Sequence, residues 1–145
     1  MKKMPMHAEL LFMPVDIKEI FFSDVSIKFS PTKEDTPQVI DNKDIAFSSF
    51  IAVLNEADKM VQVSVRFFTT NPSKHISFSI SCVGIYKGLE EEFGEPEIKN
   101  IYSWGVSVQT SMVRERITKE LLNSPYHEKL YLPIGLVQIK DDLAP

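Results

Sequence analysis

Two runs of alternating side chains limit what this chain can become. In "KMVQVSVRFFT", Val61, Val63, Val65 and Phe67 point one way while Gln62, Ser64 and Arg66 point the other. In "HISFSISCVGIY", Ile76, Phe78, Ile80 and Cys82 oppose Ser77, Ser79 and Ser81. A period of two with one apolar side marks a strand with one wet face. The joining stretch "TTNPSK" carries Asn71-Pro72, turn chemistry that predicts an antiparallel hairpin. Upstream, "SDVSIKFS" sets Val25, Ile27 and Phe29 against Asp24, Ser26 and Lys28, and "IAFSSFIAVL" turns Phe47, Ile51 and Val53 inward less cleanly. The prolines and charges of "SPTKEDTPQVIDNKD" between them predict a long crossover rather than a tight turn. Four strands with one apolar face need a cover.

The cover has to come from "IYSWGVSVQTSMVRERITKELL", which carries two periods at once. Tyr102, Trp104, Val106, Val108, Thr110 and Met112 fill every second position, whereas Val106, Val113, Ile117 and Leu121 recur at helical spacing. The second half, rich in good helix formers and with Glu115 four residues before Lys119, predicts helix. Gly105, Val106 and Val108 weaken a helix over the first half without excluding it. Ahead of it, "KGLEEEFGEPEIKN" reads as a loop with Asn100 as N-cap. Beyond it, Asn123-Ser124-Pro125 ends the helix and an extended apolar segment follows.

Composition bounds the rest. A chain of 145 residues and 16.6 kDa is expected to form a single domain over 1–145, with an N-terminal arm at 1–16 and a short tail at 138–145. The charged fraction of 25% and hydrophobic fraction of 43% are those of a globular protein. A formal charge of -4, with no basic cluster beyond Lys2-Lys3, offers nothing to a phosphate backbone, so nucleic acid is excluded as a partner. The lone Cys82 sits in an apolar alternation and points to a reducing compartment. "MKKMPMHAELLFMPV" lacks a cleavage site, and no apolar run nears the roughly 20 residues of a membrane span, so a cytoplasmic protein is expected.

The order of elements, together with "IKEIFFSDVSIKFSPT", "ISCVGIYKGLEE" and "KNIYSWGVSVQTSMVRERITKELLNSPYHEKLYLPIGLV", resembles the SecB family of bacterial export chaperones over roughly Ile17 to Val137. The resemblance implies an α+β fold: a four-stranded antiparallel sheet with a long crossover loop, covered by one long helix from about Asn100 to Leu122. It also implies ATP-independent holding of unfolded or partly folded proteins in apolar grooves, in a homodimer or homotetramer built through the first strand and the helix. The client is then general or one dedicated partner such as an antitoxin. Two departures stand out. The family's helix usually opens on a Phe-Pro-Tyr-Ala-Arg-Glu type run where this chain has "YSWGVSV". On the first strand, Asp24 is kept but Lys28 stands where an acid is usual, a reversal that argues against the motor ATPase SecA as partner.

An enzyme has little support. His7, His75 and His127 are scattered with no zinc-binding spacing, no nucleophile motif is present, and Glu90, Glu91, Glu92, Glu95 and Glu97 lack the ligand spacing of a calcium loop. No cofactor or metal site is expected. Tyr102, Trp104 and Val108 on the helix, and Phe22, Phe50 and Phe68 on faces opposite the assigned core face, are the candidates for client grooves or subunit contacts; Tyr102 and Trp104 could equally pack on the domain's own sheet. Asp24 and Lys28 mark a polar sheet face for a partner. The competing reading is a SecB-fold adaptor or structural module, for example phage-encoded, that binds one folded partner without holdase activity.

Overall fold

The computed structural model describes residues 2–8, 15–29, 38–39, 44–70, 76–123 and 130–131. The elements run β1 (Val15–Phe29), β2 (Gln38–Val39), β3 (Ile45–Asn55), β4 (Met60–Thr69), β5 (Ile76–Gly88), α1 (Glu95–Leu122) and β6 (Leu130–Tyr131). Four strands form one antiparallel sheet in the order β1-β5-β4-β3. β1 and β3 thus form its outer edges, and the crossover between them carries the chain from one edge to the other. Two short strands, β2 from the crossover and β6 from beyond the helix, pair in parallel. The Asn71-Pro72 turn, most of the crossover, the helix exit beyond Asn123 and the tail at 138–145 lie outside the described residues.

The predicted hairpin is present as β4 and β5, with Val63 opposite Gly84 and Val65 opposite Cys82. Its apolar alternation is the core: Val61, Val63, Val65, Phe78, Ile80, Cys82 and Tyr86 are all buried. β3 and β4 are joined by a turn that the Asn55 side chain organises, accepting from the Asp58 amide at 3.1 Å and donating to its carboxylate at 2.9 Å. Lys59, with φ 57°, adopts the left-handed conformation that returns the chain to β4.

The doubled period at 101–112 resolves as helix. Ile101, Gly105, Gln109, Val113 and Ile117 recur every fourth residue and are buried against the sheet, so the alternation of Tyr102, Trp104 and Val108 has no structural meaning. The helix also starts earlier than its expected Asn100 cap. Gly94 is the N-cap: its carbonyl accepts from the Ile98 amide at 3.1 Å and its own N–H donates to the Glu97 carboxylate at 2.9 Å. Pro96 sits in the first turn, where a missing N–H costs nothing. The glycine and proline that suggested a loop are the start signal, and Asn100 is an exposed residue one turn inside.

β1 departs from expectation in a second way. It reaches back to Val15, within the expected arm, and its register against β5 shifts between Ile17 and Glu19 and again between Phe22 and Asp24. Each extra residue inverts the parity of everything before it. Counting back from Val25 puts Phe22 on the outer face. The bulge at Ser23 instead turns Phe22 to the helix side, opposite Cys82, where it packs against the core.

Candidate polypeptide-binding surface

One helix cannot cover this sheet. Four strands about 4.8 Å apart make a floor about 19 Å wide, of which a helix covers about 10 Å. α1 lies chiefly over β4 and β5, meets β1 less, and reaches β3 least. On its helix side the sheet therefore keeps an uncovered strip at each edge. Ile17 and Val25, 46% and 37% exposed, mark the strip along β1; Phe47 and Val53, 39% and 45% exposed, mark the strip along β3. Each strip has an aromatic edge on the core. Phe47 packs on Phe67 with ring centroids 4.8 Å apart, and Phe22 stands under the Arg116 guanidinium at 5.6 Å. Phe22 and Met112 also floor a concavity of about 320 Å³ rimmed by Glu115, Arg116, Lys119 and Glu120.

The helix is held over β4 and β5, between these strips, by a buried polar clamp. Gln109 is fully buried; its amide donates to the carbonyls of Val63 at 3.1 Å and Cys82 at 3.0 Å, and its Oε1 accepts from the Tyr86 hydroxyl at 2.6 Å. These carbonyls have a second lone pair to offer, so the sheet ladder is not spent on the helix. The clamp needs close approach. A Cβ on Gly84 would stand 2.4 Å from Gln109 Oε1 and 2.5 Å from the Tyr86 oxygen; one on Gly105 would meet Tyr86 and Val63 at 3.2 Å. Nothing in the expected site residues included this clamp. Its sequence signal was a glutamine on the apolar stripe and an isolated glycine inside each element, a mark of close backbone approach.

Burial pushes the Cys82 thiol up, with the Gln109 side chain opposing, and burial, with Cys82 beside it, pushes the Tyr86 phenol up further. A thiol shifted that way is the reverse of an activated nucleophile. Both groups hold their protons more tightly folded than unfolded. Their stabilising contribution is complete below their ordinary values of 9.0 and 10.0 and is lost as pH rises beyond them. The urea midpoint is expected to fall from about pH 9 upward, and Tyr86→Phe to flatten that fall. Cys82 is expected to resist alkylation at pH 8 until the chain is unfolded.

The expected site residues fall into separate places. Tyr102 and Trp104 are half-buried on the helix, Tyr102 hydrogen-bonded to Ser49 on β3 and Trp104 set edge-on against Tyr86, with centroids 5.6 Å apart at 77°. Both pack against the core; Val108 is half-buried on the same helix. Phe50 and Phe68 do lie on the face away from the helix. Phe50 is 58% exposed there, beside a concavity lined by Ser48, Ser64, Arg66 and Ser81, whereas Phe68 is half-buried beneath the Arg66 guanidinium at 4.5 Å. Asp24 and Lys28 are exposed on that same face of β1, opposite Ser81 and Ser77. The aromatic candidates therefore do not form one groove.

Among the described residues no group of three or more His, Cys, Asp or Glu converges as a metal site, and no helix is long and apolar enough to cross a membrane. No protein-family model matches the sequence, and no curated protein matches it. Solved structures do. A SecB-like chaperone from Mycobacterium tuberculosis, in complex with a ChAD peptide from the HigA1 antitoxin, is similar at a TM-score of 0.52 and 13% identity, over 84% of this chain and 91% of that one. A protein of unknown function from Streptococcus agalactiae is similar at a TM-score of 0.45 and 16% identity, over 79% and 95%. At such identities likeness reaches the fold and no further: an α+β, SecB-like fold of four antiparallel strands and one long helix.

Proposed function

We propose that this chain is an ATP-independent chaperone that holds unfolded or extended polypeptide against the apolar strips beside α1. The observation that carries the reading is the exposed apolar floor on both sides of the helix, Ile17 and Val25 along β1 and Phe47 and Val53 along β3. Unfolded clients expose the same kind of surface, and burying it contributes about 25 cal/mol per Å². Ordering the client opposes that gain, so binding is moderate in strength and tolerant of sequence. That the M. tuberculosis chaperone of like fold binds a peptide from an antitoxin supports a client role, and within it a dedicated client. The chain acts as a single domain, in the cytoplasm, as a homodimer or homotetramer, with no covalent chemistry and without SecA.

The purified protein is expected to delay aggregation of several chemically unfolded clients with no nucleotide present, read by turbidity. Val25→Ser, at an exposed floor position, is expected to weaken client affinity roughly fivefold, about 1 kcal/mol. Trp104→Ala should weaken it too, while Ser79→Ala on the opposite face leaves it unchanged. The adaptor reading is favoured by a different observation, the hydroxyl-lined concavity around Phe50 and Arg66 on the face away from the helix. Tight, salt-sensitive binding to one folded protein without any delay of aggregation would decide for it.

A further inference from the structure

The face of the sheet away from α1 carries a basin of about 290 Å³ whose lining includes one serine from each of the four strands: Ser23 on β1, Ser48 on β3, Ser64 on β4 and Ser81 on β5. Phe50 and Arg66 stand beside them. The Ser64 hydroxyl accepts from the Gln62 amide at 3.3 Å, whereas among the described residues nothing engages the hydroxyls of Ser23, Ser48 or Ser81. Arg66 lies between Ser48 and Ser81 in the cross-strand register. Its guanidinium rests over the Phe68 ring at 4.5 Å and reaches a single hydroxyl, that of Ser79, at 3.5 Å. Among the described residues no carboxylate pairs with it. Asp24, the acid in its row, lies beyond Ser81, two strand spacings or about 10 Å away and past the screening length of about 8 Å.

We propose that this face docks a partner protein through a surface segment that sets a carboxylate against Arg66 and an apolar side chain against Phe50. The carboxylate follows from the donors. Every unengaged polar group in the basin can donate, three hydroxyls and a guanidinium that has five N–H groups and no acceptor, and a carboxylate only accepts. The guanidinium fork fits it bidentately, and stacking on Phe68 holds the fork in place before the partner arrives. The apolar side chain follows from the adjoining row. Phe21, Val83, Ser64 and Phe50 stand opposite one another in turn across all four strands, about 14 Å, with Phe21 39% and Phe50 58% exposed. That row is longer than a small anion, and aromatic side chains beside an arginine are the make-up of a protein interface core. Asp16, Glu19 and Asp24 along the β1 edge of the same face repel a phosphate-bearing surface. An unfolded client held by apolar area gains nothing from a hydroxyl floor, which it would strip of water. The site deepens the partner-binding reading of this concavity and does not rest on the chaperone reading, whose strips lie on the other face.

The test titrates the isotope-labelled full chain with a capped pentapeptide, Gly-Phe-Glu-Phe-Gly, and with its Gln and Lys counterparts, following backbone amides by NMR. The Glu peptide is expected to move the amides of Ser48, Ser64, Arg66 and Ser81, and to bind roughly tenfold more tightly than the other two. Added salt should weaken the Glu peptide alone. Arg66→Gln, at an exposed position, is expected to abolish the preference for Glu with the rest of the spectrum unchanged, and Phe50→Ala to weaken the Glu and Gln peptides alike. The proposal is overturned by an absence of shifts at these amides, by equal affinity for the Glu and Gln peptides, or by a Glu preference that survives Arg66→Gln. Sodium acetate reproducing the shifts at the peptide's affinity would mark an adventitious small-anion site only, and shifts confined to Phe47 and Val53 would make the peptide a client of the strips; either result overturns it too. Arg66→Gln is expected to delay client aggregation as well as wild type does, so failure of this site and failure of the chaperone reading are separate results. A variant that lost that activity would place clients on this face and overturn the proposal.

Discussion

Gly84→Ala is expected to destabilise the fold by about 2–4 kcal/mol, read as a lower urea midpoint with an unchanged slope. A single methyl rarely does so much on a sheet, and the reason lies above it. The new Cβ would fall 2.4 Å from Gln109 Oε1, 2.5 Å from the Tyr86 oxygen and 2.7 Å from a Tyr86 ring carbon. The first two are tips of side chains that would ordinarily swing aside. Here both are fully buried and hydrogen-bonded to each other, so yielding means breaking that bond or lifting the helix. Gly105→Ala is the informative contrast. Its Cβ meets Tyr86 and Val63 at 3.2 Å, a tight contact that small shifts relieve, while alanine gains about 1 kcal/mol of helix propensity over glycine. That variant is expected within about 1 kcal/mol of wild type.

Gln109→Leu is expected to cost a similar amount, about 2–4 kcal/mol, by stranding the Tyr86 hydroxyl in the core and withdrawing a donor from two buried carbonyls. The shape is nearly conserved, so the loss reports hydrogen bonding rather than a cavity. Adding Tyr86→Phe removes the stranded hydroxyl, and the double variant should recover roughly 1–2 kcal/mol relative to Gln109→Leu alone. Simple additivity of the two losses would mean that the clamp is not one unit. Since the clamp fixes the height of α1 over the sheet, the width of both apolar strips depends on it. Variants that keep the fold but loosen this bond are expected to change client affinity as well as stability.

Much of this architecture was legible in the chain, for identifiable reasons. β4 and β5 alternate cleanly because they are central strands with the helix on one side and a hydroxyl-rich face on the other. What failed was parity and boundary. A bulge adds a residue without any residue type that announces it, so Phe22 landed on the wrong face. Gly94 and Pro96 read as breakers when taken singly, and only their order, glycine then proline just inside, marks a helix start. The exposed strips were not legible at all, since Val25, Phe47 and Val53 look like core by period. Whether an inward-facing residue is covered depends on how far a single helix reaches across four strands.

The most direct measurement is calorimetric titration of the protein with one client held unfolded, and with the same client folded, across a temperature and salt series. Holding by apolar strips requires binding to the unfolded form alone, with a clearly negative heat-capacity change and little response to moderate salt. Binding to the folded form, or binding with a heat-capacity change near zero that weakens steeply as salt rises, would contradict it.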